Sequence, residues 1–263
     1  PLFLQRRKDA PVGIVDLERV RRHHGGYRAG RVPARRQHAV AQVAQEQPPA
    51  GRQPGQGGLP DPGHAQAAPL AAQLGSDLLA ECDVSDEASI DALFATLAER
   101  WDSIDFIVHA IGFSDKDQLR GRYADTTRDN FLMTMDISVY SFTAVARHAS
   151  AMMPNGGSLL TLTYYGAERV MPHYNVMGVA KAALESAVRY LANDLGPDGI
   201  RVNAISPGPM KTLAGAAIGG ARKTFRHTEA NAPLRANATL DAIGGTAVWM
   251  LSDWGACTTG EIV

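Results

Sequence analysis

The chain has 263 residues, 45% of them hydrophobic, and a net charge of -1, which allows one sizeable core. It holds no run of about 18 apolar residues, so no membrane-spanning helix is expected, and the opening PLFLQRRKDA lacks the apolar centre and small-residue cleavage site of a secretory signal. Two cysteines, Cys82 and Cys257, suit a reduced, cytoplasmic setting and read as small packing residues.

The charge is unevenly spread. Residues 1–68 hold eleven Lys and Arg against five Asp and Glu, and the rest of the chain 15 against 22. The same first segment holds eight glutamines and eight prolines, and from Gln42 to Pro69 no helical or strand period is sustained, so residues 1–68 read as an atypical, disordered basic segment. A basic arm is one signature of a nucleic-acid partner, but the abrupt change of character at about Pro69 argues instead for a stretch translated in another reading frame. Reading the coding DNA in its other two frames tests that idea. A genuine disordered extension is the alternative. Inside the segment, Val12–Val15 is the single strand candidate and GGYRAG, Gly25 to Gly30, the nearest thing to a glycine loop, although no convincing strand precedes it.

From Leu70 onward strands and helices alternate, the pattern of an α/β domain with a parallel sheet. LAAQLG ends a helix. Asp77 to Val84 is a strand running into a loop, and SDEASIDALFATLAERW shows helical spacing. Asp83, at that strand's end, is placed either to accept a hydrogen bond from an exocyclic amine or to cap the helix; Ser85 and Asp86 are rival caps. Asp105 to Ala110 is a buried strand followed by Ile111, Gly112, Phe113 and Ser114, and the glycine there permits close approach of another molecule. His109 lies within that apolar strand, which favours a core histidine over a general base. Residues 123–153 have the period of one long helix, ended at Asn155, Gly156 and Gly157.

Ser158 to Thr163 is the next buried strand, and Tyr164 falls at its carboxyl end, where open parallel sheets bind ligands. Gly166 and Pro172 break the chain before a helix that starts near Tyr174 and stops at Gly196 and Pro197. Tyr174 and Lys181 are seven residues apart, about 20° round the helix and roughly 10 Å along it, so they share one face. A tyrosine can donate to a developing oxyanion, and a nearby ammonium is expected to lower its pKa. The plainer alternative is a packed tyrosine and a snorkelling lysine. IRVNAI, Ile200 to Ile205, is a further strand, and the Ser206–Pro209 turn stops any helix. AGAAIGGARKTF reads as a mobile lid or a plain surface helix.

The pattern of Tyr164, nine residues, Tyr174, six residues and Lys181 resembles the bacterial NADH-dependent enoyl-[acyl-carrier-protein] reductases of the short-chain dehydrogenase/reductase superfamily. Other superfamily members place the lysine four after the tyrosine, where this chain has Gly178. The resemblance covers residues 69–263. It implies a Rossmann-like doubly wound parallel sheet whose first βαβ unit is missing or disordered here, leaving the sheet split, and a domain cut short after GEIV with its last strand lost. It also implies NADH as cofactor, held by Asp83, Val84, Ile111, Lys181, Met210, Lys211, Thr212, Leu213 and Ala214. Tyr164, Tyr174 and Lys181 would be catalytic and Ser114 would meet the acyl substrate. The implied partners are an acyl carrier protein-linked enoyl substrate and further copies in a homotetramer, with no metal, nucleic acid or membrane. Two alternatives stay open: a non-catalytic remnant unable to hold a dinucleotide, and a ketone-reducing relative.

Overall fold

The computed structural model describes residues 39–42, 68–69, 71–73, 76, 78–210 and 221–263. The strand candidate Val12–Val15, the GGYRAG stretch, the cofactor candidates Lys211, Thr212, Leu213 and Ala214, and most of the glycine-rich lid candidate lie outside these residues.

Five strands pair in parallel, in two pieces among the described residues: β1 (Ala39–Gln42) with β2 (Leu78–Glu81), and β3 (Phe106–His109), β4 (Gly157–Leu162) and β5 (Ile200–Ile205) in the order β3-β4-β5. Strand β1 falls inside the segment expected to lack order. Its sequence, AVAQ, carries one β-branched residue in a Gln- and Arg-rich setting, so local propensity gives little sign of it. What defines it is its partner, with Ala39 opposite Leu78 and Gln42 opposite Glu81. At the other end Glu261 to Val263 run parallel beside β5: Ala204 N–H donates to Glu261 O at 2.9 Å and Val263 N–H to Ala204 O at 3.1 Å. Those three residues occupy the sheet edge from which the last strand was expected to be lost.

Strand β4 shows why the sheet is covered twice. Its consecutive leucines point to opposite faces. Leu159 joins the main core with Val202, Leu184 and Val188, and Leu160 joins a second core with Ile205, Ala247 and Met250. Apolar residues on both faces of a strand require helices on both sides. Helix α1 (Glu87–Arg100) buries Ile90, Leu93, Phe94 and Leu97, and Asp86 caps it by accepting from Ala88 N–H at 3.0 Å. Cys82 is buried beside it, its thiol pushed up to about 12 mainly by burial, and so stays protonated.

The long helix expected over 123–153 is interrupted. A 3-10 turn at Tyr123–Asp125 precedes α2 (Arg128–Met135), a π turn covers Asp136–Tyr140, and α3 (Ser141–Ala151) follows. Within the π turn the Ser138 hydroxyl accepts from Phe113 N–H at 2.9 Å and donates to Phe113 O at 3.1 Å. It thereby ties the helix to the loop after β3. Helix α4 (Asn175–Leu195) then packs on β5, and α5 (Ala221–Asn231) and α6 (Leu240–Leu251) complete the chain, α6 covering β4 and β5.

Candidate active site

Six of the candidate residues follow a strand's carboxyl end, Asp83 and Val84 after β2, Ile111 and Ser114 after β3, Tyr164 after β4 and Met210 after β5, while Tyr174 and Lys181 belong to the amino end of α4. Parallel pairing of β3, β4 and β5 sets their three ends on one side of that sheet. Thr163 anchors the end of β4, its N–H donating to Ile205 O at 2.9 Å. Tyr164 continues in extended conformation, a 3-10 turn spans Tyr165–Ala167, and the chain returns so that Tyr174 stands at the amino end of α4. The Tyr164 and Tyr174 rings meet edge to face, with centroids 5.1 Å apart at 65°, a favoured aromatic geometry.

Two glycines make that return possible. A Cβ on Gly166 would stand 2.4 Å from Tyr174 Cδ1, and one on Gly178 would stand 2.9 Å from Gly166 O. The first turns of α4 therefore lie directly against the 165–167 backbone. This gives a physical reason for the absence of lysine four after the tyrosine, since any side chain at 178 would force the helix off that turn. Lysine comes one turn later instead. The Lys181 side chain is 7% exposed and its Nζ donates to Leu162 O at 2.7 Å.

Burial dominates the electrostatics. It lowers Lys181 to about 8, partly offset by attraction to Glu185. It raises both Tyr164 and Tyr174, and repulsion between the two phenols raises Tyr174 further. The expectation that Lys181 lowers the Tyr174 pKa is thus not met: desolvation of the phenolate outweighs any help from the ammonium. Tyr174 stays protonated and is suited to donate a hydrogen bond, not to act as a phenolate base.

His109 is fully buried, with Nδ1 3.0 Å from Thr161 Oγ1 and Nε2 2.9 Å from Ser141 Oγ. Burial, then the Lys181 charge, lowers it to about 3. It is a core residue satisfied on both nitrogens. The unfolded chain takes up a proton near pH 6.5 and the folded chain near 3, so stability falls as pH drops through that window. The thermal midpoint should decline below pH 6.5, and His109→Gln should flatten the decline.

The remaining described candidates divide between surface and core. Asp83 Oδ1 accepts from Ser85 N–H at 2.9 Å and from Ser85 Oγ at 2.7 Å, while Val84 is 2% exposed in the core. Ser114 donates to Asn130 Oδ1 at 3.3 Å and accepts from Thr134 Oγ1 at 2.9 Å, which places its hydroxyl in a polar cluster with α2. Three contributors went unread in the sequence. Gly166 was read only as a break. Ser138 acts through a π turn that leaves no periodic signal. Glu185, an acid on the buried face of α4 one turn after Lys181, was legible from its helical spacing.

Whether a dinucleotide suits these residues rests on two observations. Lys181 has three donors and spends one on Leu162 O. Over it lies exposed Gly112, where a Cβ would stand 3.6 Å from Nζ and 3.8 Å from Ser138 Oγ. An ammonium with donors to spare beneath bare backbone fits a sugar's hydroxyls.

A parallel sheet with two phenols and a buried ammonium near the carboxyl end of β4 is an arrangement that fits a dinucleotide-dependent reductase. The sequence model of the family described as Enoyl-(Acyl carrier protein) reductase matches residues 41–263. The chain belongs to that family. It is 62% identical over 194 residues, 74% of this chain and 71% of the relative, to enoyl-[acyl-carrier-protein] reductase [NADH] 1 of Rhizobium meliloti (strain 1021). Among solved structures it is similar to the Anaplasma phagocytophilum enoyl-(acyl-carrier-protein) reductase in complex with NAD, at 52% identity and TM-score 0.76, covering 86% of this chain and 80% of that one. FabI from Candidatus Liberibacter asiaticus gives 38% identity and TM-score 0.80 over 99% and 92%.

Proposed function

We propose that this chain reduces the double bond of a trans-2-enoyl thioester carried by acyl carrier protein, using NADH, in type II fatty acid synthesis. The observation that carries the reading is the cluster at the end of β4, with Lys181 fixed to Leu162 O and Tyr174, at the amino end of α4, edge-on to Tyr164. NADH, when bound, supplies hydride to the β-carbon. Tyr174, kept protonated by burial, donates a hydrogen bond to the thioester oxygen as negative charge gathers there. Lys181 binds the nicotinamide ribose hydroxyls and holds positive charge near that oxygen. Tyr164, half-buried on the acyl side, assists protonation.

Asp83 and Val84 take the adenine, Ile111 lines the nicotinamide side, Met210 with Lys211, Thr212, Leu213 and Ala214 folds over the cofactor, and Ser114 meets the acyl chain. The working domain runs from about residue 69, joined by strand β1, and works in the cytoplasm as a homotetramer. Among the described residues no helix is long and apolar enough to cross a membrane, and no cluster of three or more His, Cys, Asp or Glu residues could hold a metal.

NADH oxidation with crotonyl thioester tests the reading directly. Because Lys181 loses its proton near pH 8, turnover is expected to fall above about pH 8. Stability should move the other way between about 8 and 10.5: the folded chain gives up that proton before the unfolded chain does, which relieves a buried charge. A ketone-reducing relative is disfavoured by Gly178, whose place cannot take the lysine such an enzyme needs. A non-catalytic remnant is the reading that the unrecognised glycine loop in the sequence favours. Titration of NADH fluorescence separates it from the reductase, because a remnant gives no saturable change.

A further inference from the structure

Lys181 is not the sole charged group buried on its face of α4. Glu185 lies one turn further along, 6% exposed. Its Oε1 accepts from Thr163 Oγ1 at 2.7 Å. Thr163 directly follows Leu162, the residue whose carbonyl takes the Lys181 ammonium, and its own N–H is bonded to Ile205 O at 2.9 Å. Two opposite charges from successive turns of one helix are therefore pinned to consecutive residues at the end of β4. A carboxylate removed from water at this depth needs a partner. A neutral threonine hydroxyl supplies one hydrogen bond but no charge.

We propose that Glu185, held by Thr163, is the positioning residue for Lys181: its carboxylate is the fixed counter-charge that keeps the ammonium charged and in place at the strand mouth. The proposal rests on the reading of Lys181 as the cofactor-binding lysine. The other titratable groups around this lysine do not share the task. His109 on β3 is neutral at working pH, lowered to about 3. Tyr164 and Tyr174 are both raised and protonated. Among the described residues the attraction that offsets burial of Lys181 comes from Glu185.

The test is made first on the protein without cofactor. With lysine labelled by 13C and the Lys181 signal assigned by its loss in Lys181→Met, the wild-type midpoint is expected near 8. Glu185→Gln keeps the acceptor for Thr163 but removes the charge, and should lower the midpoint by about one unit. Glu185→Asp should restore most of it. NADH binding to Glu185→Gln should then be roughly threefold weaker at pH 7.5 and near wild type at pH 6, where the lysine is recharged.

A Lys181 midpoint unchanged in Glu185→Gln, or a loss of NADH affinity equal at both pH values, overturns the proposal. Should Glu185→Gln fail to fold, Thr163→Val probes the pair from its other end. A downward midpoint supports the proposal and an unchanged one overturns it. Crotonyl thioester turnover by the wild type is scored separately. Its absence together with a shifted lysine midpoint sinks the reductase reading and leaves the pair standing.

Discussion

Tyr174→Phe is expected to slow reduction of crotonyl thioester roughly hundredfold, the usual cost of deleting one donor to a developing oxyanion. The ring keeps its edge-to-face contact with Tyr164 and its place in the cluster with Leu119, Val176, Met177 and Ala180. Folding and NADH affinity should therefore hardly change, and the loss should fall on kcat. Lys181→Ala should be more severe. It removes the ammonium from Leu162 O and takes away the donors facing Gly112, so NADH affinity and kcat should fall together. Steady-state kinetics with NADH titration on both variants checks this, and wild-type rates in both would end the assignment.

The second large effect is expected at Gly166, a residue with no chemistry of its own. A methyl there would enter the Tyr174 ring, at 2.4 Å from Cδ1 and 2.6 Å from Cε1. Tyr174 is 6% exposed and has little room to retreat. Gly166→Ala should therefore cost about 1–3 kcal/mol of stability, as overpacking does in a filled site. It should also displace the phenol enough to reduce turnover by about a hundredfold, since small misplacements of a catalytic group are costly. Denaturant unfolding reads the first effect and kinetics the second. A variant with wild-type stability and rate would show that the 165–167 turn is free to move.

Much of this was legible in the chain. The strands Leu78–Glu81, Phe106–His109, Gly157–Leu162 and Ile200–Ile205 announced themselves as short apolar runs bounded by turn residues, because buried parallel strands must be apolar on both faces. The helix that carries Lys181 was legible too, but Tyr174 stands at its cap, before the first helical residue, so helix spacing alone does not fix how its ring lies relative to Lys181. What stayed hidden depended on contacts between distant segments. Strand Ala39–Gln42 exists through its register with Leu78–Glu81. The direction of the Tyr174 shift follows from how much of the ring is buried, which spacing does not reveal. The polar cluster of Ser114 with Asn130 and Thr134 joins residues 16 and 20 positions apart, and no one-dimensional pattern announces it.

The wide turn at Asp136–Tyr140 acts as a phase shifter. One extra residue in a turn shifts the numbering of everything downstream by about 100° of helical phase relative to an uninterrupted helix. The half before it presents Asn130 and Thr134 to the loop after β3, Ser138 within it bonds Phe113, and the half after it presents Phe142, Val145 and Ala149 to the core. Deleting a single codon within 136–140 would let the wide turn close to an ordinary one with both flanking halves kept in place, and the tie that Ser138 makes to the loop after β3 would be the contact put at risk.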